Sequence, residues 1–164
     1  MSADQIALIG RLDAELIELE RVLTRAERLM AKARAQGDED YLDGVALNLH
    51  GFYAGAERIF EEIAREIDGS VPTGPEWHRD LLMQMSAELR GTRPPVIGRN
   101  TRDCLDNYRG FRHVVRNVYI LVGNGLSANS RPSSRLFRLN SMHSFDFRSV
   151  YLQLAPIAPA GIGR

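Results

Sequence analysis

Two long runs of apolar residues stepping by three and four leave this chain little choice of architecture. From Asp4 to about Ala35 the positions Ile9, Leu12, Leu16, Leu19, Leu23, Ala26 and Met30 recur at helical spacing, with Glu and Arg filling the other faces, which predicts one long amphipathic helix. Gly37 is a stop signal and Asp38 a candidate N-cap for the next element. Val45, Leu49, Phe52, Ala56, Ile59, Ile63 and Ile67 then keep the same alternation up to the break at Asp68-Gly69. Two long helices joined by so short a turn are expected to pack antiparallel. Gly44, Gly51 and Gly55 lie inside the second run, each costing roughly 1 kcal/mol against alanine. The expected compensation is close approach of another backbone, from this chain or from a second subunit.

Beyond the loop Val71-Pro72-Thr73-Gly74-Pro75, Pro75 can open a short helix with Trp77, Leu81, Met85 and Leu89 facing inward. Gly91-Thr92-Arg93-Pro94-Pro95 ends it. Thr101 as N-cap, with Asp103 in the first turn, should start a fourth helix running to about Val122. After Gly123 the composition changes sign. The last 42 residues hold one acid, Asp146, against five arginines, a charge near +4, whereas the first 122 residues sit near −4. Phe145, Phe147, Val150, Tyr151, Leu152 and Leu154 suggest a short strand or packed extended segment, but a lone strand has nothing to pair with. The expected fold is therefore all-α: an antiparallel helical bundle of about four helices over 1–122, with an irregular C-terminal tail over 123–164.

At 164 residues one core can be buried without disulfides or metals. A formal net charge of zero argues against a generally basic nucleic-acid coat, so any such contact must be a local patch. Lys32 is the only lysine among 21 cations. Arginines suit planar phosphate or carboxylate recognition, although genomic base composition explains the bias as simply. Cys104 stands alone, which excludes an intrachain disulfide. The opening Met-Ser-Ala-Asp-Gln leads into a charged periodic segment, not a secretory leader. No run approaches the roughly 18 apolar residues of a membrane span, and a cytoplasmic protein is expected.

One stretch gathers polar, potentially reactive side chains: Tyr108-Arg109-Gly110-Phe111-Arg112-His113-Val114-Val115-Arg116-Asn117-Val118-Tyr119. On a helical wheel Phe111, Val115, Val118 and Val122 make a core sector, and Arg109, Arg112, Arg116 and Tyr119 gather on another side, with His113 and Asn117 continuing around. Three arginines on one face repel one another, so an anion or carboxylate partner is expected, and Glu57 on the second helix is one candidate. The simpler alternative is a solvated charged face. His113 adds an imidazole suited to proton transfer, beside guanidinium groups able to stabilise charge developing on phosphorus. Elsewhere the signals are weaker. Asp38, Glu39, Asp40 and Asp43 complement a helix dipole. His50 and His78 lack Cys or carboxylate partners at ligand spacing, so a zinc site is not expected, and no cofactor is implied.

These residues resemble those of the HepT-like members of the HEPN superfamily, small all-helical ribonucleases of toxin–antitoxin modules. The hallmark is an Arg-polar-x-x-x-His-x-Tyr pattern on a late helix, matched here by Arg112, His113, Asn117 and Tyr119. Gly51-Phe52-Tyr53-Ala54-Gly55-Ala56-Glu57-Arg58-Ile59-Phe60, Trp77-His78-Arg79-Asp80-Leu81-Leu82 and Arg93-Pro94-Pro95-Val96-Ile97 extend the likeness over roughly residues 5–120. The resemblance implies metal-independent RNA cleavage by attack of the ribose 2′-hydroxyl on the adjacent phosphate. It implies a homodimer with the site at its interface, and a nucleotidyltransferase antitoxin partner that modifies the tyrosine, here Tyr119, with AMP. Under it His113 is general base or acid, Arg112 holds the scissile phosphate, Arg109 and Arg116 bind flanking phosphates, and Asn117 orients the imidazole or sugar.

The departure from the pattern is that Asn117 stands where His is expected, with His113 at the preceding polar position. Asn cannot transfer a proton. Residues 113 and 117 share a helix face, so His113 is placed to act from the neighbouring position. The same exchange is compatible with a helical binding module that docks a nucleotidyltransferase without cleaving RNA, or with a plain structural role. Gly123-Asn124-Gly125 stops the helix where relatives continue, which implies either a change of reading frame near residue 120 or a variant tail.

Overall fold

The computed structural model describes residues 2–38, 40–110 and 146–157. Helix α1 (Ala3–Gln36) begins at a capping box. The Ser2 hydroxyl accepts from the Gln5 backbone N–H, and the Gln5 side chain accepts from the Ser2 N–H, satisfying two of the donors a helix start leaves bare. It ends at Gly37, whose φ of 64° is the left-handed conformation that favours glycine. The buried stripe is Leu8, Leu12, Leu16, Leu19, Leu23, Ala26 and Ala33. Leu8 takes the core position expected of Ile9, which lies half-buried.

Asp38 acts at the following turn, its carboxylate accepting from the Asp40 N–H at 2.9 Å. Helix α2 (Asp40–Glu66) buries Val45, Leu49, Phe52, Tyr53, Ala56, Ile59, Phe60, Ile63 and Ala64, and Ile67, just beyond its end, is exposed. The α1–α2 contacts run in opposite directions along the two helices. Arg11 meets Glu62 and Glu15 meets Arg58, Leu19 lies against Gly55 and Leu29 against Gly44, so the hairpin is antiparallel as expected. Gly44 and Gly55 are explained differently from the expectation, while an added Cβ at Gly51 would meet no described atom within 4 Å. At Gly55 an added Cβ would stand 2.5 Å from Leu19 Cδ2, and at Gly44 it would stand 2.9 Å from Leu29 Cδ1. Leucine side chains of the same chain, not a second backbone, occupy the space.

Helix α3 (Trp77–Ser86) buries Leu81, Leu82 and Met85. Leu89 lies outside it, bridged to Arg93 through paired backbone hydrogen bonds around Gly91, whose φ is 77°. Arg93 reaches back from this turn into the body. Its Nε donates to Asp68 at 2.6 Å, its other nitrogens donate to Asp68 and to the carbonyls of Gln84, Ala87 and Pro94, and Gln84 also donates to Asp68. Only 8% of the Arg93 side chain and 1% of the Asp68 side chain remain exposed.

Helix α4 is described over 99–110. It starts before the expected cap: the Arg102 N–H already bonds the Gly98 carbonyl. Thr101 is thus inside the helix, buried at 3% exposure beside Leu105 and Tyr108 at 0%.

Within the stretch expected to be irregular, Phe147–Leu154 forms helix α5, followed by a 3-10 turn over Ala155–Ile157. The Asp146 carboxylate caps it by accepting from the Ser149 N–H. Phe147, Val150 and Leu154 are buried while Leu152 is 61% exposed. An extended segment would instead send 150, 152 and 154 to one side, so the three-four spacing prevails over the β-forming composition. Phe147 packs edge-on against Phe52 at 5.3 Å and Tyr108 at 5.0 Å, Arg148 pairs with Glu27 on α1, and Gln153 accepts from the Gly98 N–H at 3.0 Å. The all-α bundle therefore takes a closing helix from beyond residue 145. Residues 123–145 lie outside the described part of the structure.

Candidate functional site

The head of α3 and the described end of α4 come together through α2. Tyr53 of α2 packs its ring on Tyr108 of α4, with centroids 5.3 Å apart. One turn further along α2, Glu57 is buried at 7% exposure. Its Oε1 lies 2.5 Å from Nδ1 of His78, and the His78 ring is stacked on Trp77 at 3.6 Å. Two residues upstream of His78, Glu76 Oε2 stands 3.9 Å from a terminal nitrogen of Arg109, whose Nε donates to Asp106 at 2.8 Å.

Arg109 thus lies between two carboxylates, neither of them Glu57. The bond to Asp106 raises the guanidinium pKa, opposed by partial burial and supported further by the charges of Asp106 and Glu76. A phosphate approaching Arg109 meets a cation that already has acidic neighbours, with 30% of its side chain exposed. The other expected site residues, Arg112, His113, Arg116, Asn117 and Tyr119, and the core sector Phe111 to Val122, lie outside the described residues.

The Glu57–His78 pair escaped the sequence reading because its members are 21 positions apart and on different helices. His78 has the carboxylate partner that local spacing did not reveal. The available signals were an acid at an otherwise apolar helix-two position and a Trp-His dipeptide at a helix start. A buried carboxylate is costly unless paired and hydrogen-bonded, so Glu57 fixes the ring beside it. Among the described residues no group of three or more His, Cys, Asp or Glu is arranged to hold a metal ion.

Cys104, on α4, is half-buried, and burial raises its thiol pKa despite a backbone hydrogen bond involving Asp146 that pulls the other way. It is therefore poorly disposed to act as a thiolate nucleophile. Among the described residues no helix is long and apolar enough to cross a membrane.

The chain has no significant match among curated proteins or solved structures. A family model described as HepT-like protein matches residues 44–138, a span that begins in α2, contains Glu57, His78 and Arg93, and includes Arg112 to Tyr119. That span covers more than half of the sequence and carries the segments on which the resemblance was drawn, so the chain belongs to the HepT-like family of the HEPN superfamily.

Proposed function

We propose that the protein is a metal-independent endoribonuclease toxin of a toxin–antitoxin module, cleaving RNA by attack of a 2′-hydroxyl on the adjacent phosphate. The observation that carries this reading is the family match, which runs through Arg112, His113, Arg116, Asn117 and Tyr119. In it Arg112 holds the scissile phosphate, His113 transfers a proton, and Asn117 orients the imidazole or the sugar. Arg116 and Arg109 bind flanking phosphates. Because Asp106 and Glu76 already neighbour Arg109, its share of the binding is smaller than that of Arg112. The functional unit is a homodimer in the cytoplasm, its partner a nucleotidyltransferase antitoxin, and Tyr119 the acceptor of AMP.

A labelled RNA incubated in EDTA with wild type, Arg112→Ala and His113→Ala tests the reading. Cleavage by wild type is expected, with loss on the order of 10²-fold or more in the His113 variant. Cleavage untouched by either substitution removes the site assignment.

One observation favours a second reading, the amide of Asn117 where the family pattern places an imidazole. In that case the protein is a non-catalytic helical module that docks the nucleotidyltransferase through its arginine face. Arg112→Ala would then weaken partner binding while RNA stayed intact with wild type.

A further inference from the structure

Charge changes sign along α1. Residues 3–20 hold Asp4, Asp13, Glu15, Glu18 and Glu20 against Arg11, whereas residues 21–36 hold Arg21, Arg25, Arg28, Lys32 and Arg34 against Glu27. Four of those cations, Arg21, Arg25, Arg28 and Lys32, follow one another at steps of four, three and four residues, which sets them in a single row on the helix. All four are exposed, and the row points away from Leu19, Leu23 and Ala26, the side that α1 buries. At about 1.5 Å of rise per residue the row is roughly 16 Å long.

Such a row works against the helix, because like charges one turn apart destabilise it by about 0.2–0.5 kcal/mol per pair. The chain itself offsets little of this. Arg21 bonds Glu18 at 2.8 Å, but no acid stands three or four positions from Arg25, Arg28 or Lys32. Arg25 and Arg28 make no ion pair with any described carboxylate, in contrast to Arg11, Arg58 and Arg65 on the same hairpin. The helix dipole favours cations only near the last turn, which Arg21, Arg25 and Arg28 do not reach. Beside the far end of the row, Lys32 Nζ lies 5.9 Å from the ring centroid of Tyr41, so an aromatic surface adjoins the cations.

A row of this kind fits a chain of phosphates. Guanidinium groups give phosphate oxygens two donors at once, and cations lined up beside an aromatic ring are the means by which single strands are bound whatever their sequence. An anionic lipid surface fits less well. A helix lying on a membrane turns its apolar face to the lipid, and the apolar face of α1 is already buried in the core.

We infer that Arg21, Arg25, Arg28 and Lys32 bind the phosphate backbone of single-stranded RNA, as a sequence-independent surface on α1. The choice of RNA as the polyanion rests on the ribonuclease reading above, while the row itself stands on α1 alone. The surface holds the strand and takes no part in bond breaking, so it acts on KM and leaves kcat unchanged.

The test measures binding of a labelled single-stranded 2′-O-methyl RNA, which lacks the nucleophile and cannot be cleaved, across a salt series. Wild type is compared with Arg25→Gln/Arg28→Gln and with Arg11→Gln/Arg65→Gln, which removes the same charge elsewhere on the hairpin, and thermal unfolding is followed alongside. Loss of two phosphate contacts should flatten the slope of log K against log salt by about 1.4 and weaken binding on the order of tenfold near 0.1 M salt. The control pair should change neither by more than a small fraction of this. Equal losses in the two double variants, or no binding by wild type, overturn the inference. Row-dependent binding to phosphatidylserine vesicles with RNA binding unmoved overturns it in favour of a lipid surface. Cleavage of ordinary RNA with KM unchanged in Arg25→Gln/Arg28→Gln overturns it and leaves the ribonuclease reading standing. Row-dependent binding of the 2′-O-methyl strand without cleavage of ordinary RNA removes that reading and supports the surface. Should the double variant fail to fold, Lys32→Gln decides, with a slope change of about 0.7 expected and an unchanged slope overturning the inference.

Discussion

The α1–α2 hairpin and the corner where α2, α3 and the 87–98 turn meet place their charges in opposite settings. Along the hairpin, Arg11–Glu62 and Arg58–Glu15 lie in the open, with 49% and 53% of the arginine side chains exposed. At the corner, Asp68–Arg93 is almost wholly enclosed and Glu57–His78 largely so. Exposed pairs are worth about 0–1 kcal/mol, whereas breaking a buried pair strands an uncompensated charge. The hairpin is therefore held by its leucine stripe. The corner depends on polar groups that tie α2 to the segments leading into α4, the helix that carries Arg109.

Removing one partner of the enclosed pair should give the largest effect. Arg93→Ala leaves Asp68 buried with Gln84 as its remaining side-chain donor, and urea unfolding should show a loss of about 3–5 kcal/mol. A loss below about 1 kcal/mol would put the corner in the same class as the hairpin surface. The same pair sets an acid dependence. Burial pushes the Asp68 carboxyl up, but the bonds from Arg93 and Gln84 and the charge of Arg93 outweigh it and hold it below its ordinary value. A lowered folded pKa means that the stability is complete above the ordinary carboxylate value of about 4 and drains as pH falls through the folded value. Melting temperature measured from pH 7 downward should fall steeply below about pH 4, and less steeply in Asp68→Asn.

The hairpin should break through packing instead. Gly55→Ala would place a methyl 2.5 Å from Leu19 Cδ2, so the Leu19 side chain, 1% exposed, must shift within the packed core. Overpacking of this kind costs about 1–3 kcal/mol, against the roughly 1 kcal/mol that alanine gains over glycine in a helix. The net effect should be destabilising. Gly51→Ala, with no described atom within 4 Å of the new methyl, should raise stability by roughly 0.5–1 kcal/mol. Chemical denaturation of both variants reads the signs, and equal signs would remove Leu19 as the reason for Gly55.

The contrast also marks what could be read from sequence. The hairpin was legible because its interactions repeat every three or four residues, from Leu12 through Leu23 and from Val45 through Ile63, and Gly37 ends the first run by a local conformational rule. The corner was not, because Glu57 and His78, or Asp68 and Arg93, become neighbours only through the tertiary fold. Helix α5 lay between these cases. Phe147, Val150 and Leu154 do carry the period, but over a span too short to outweigh an aromatic and β-branched composition, and burial against Phe52 and Tyr108 decides the outcome. Of the expected site, Arg109 was placed on the correct helix, while its partners, Asp106 and Glu76, were not the Glu57 that periodicity suggested.

The smallest effect is expected where the geometry looks strongest. Arg58 makes a two-point contact with Glu15 at 3.0 and 2.9 Å, and that bond, opposed by partial burial, raises the guanidinium pKa. Both side chains nonetheless face solvent, where water and salt compete and ordering two long side chains costs entropy. A double-mutant cycle with Arg58→Ala and Glu15→Ala should give a coupling of at most about 1 kcal/mol, shrinking further in 1 M salt. The same cycle on Glu57 and His78 should give a larger coupling that salt hardly touches, because their contact lies under Trp77 and away from mobile ions. If the two cycles agree in size and in salt response, burial is not what separates the regions, and the corner loses its claim to hold His78 more firmly than a surface histidine.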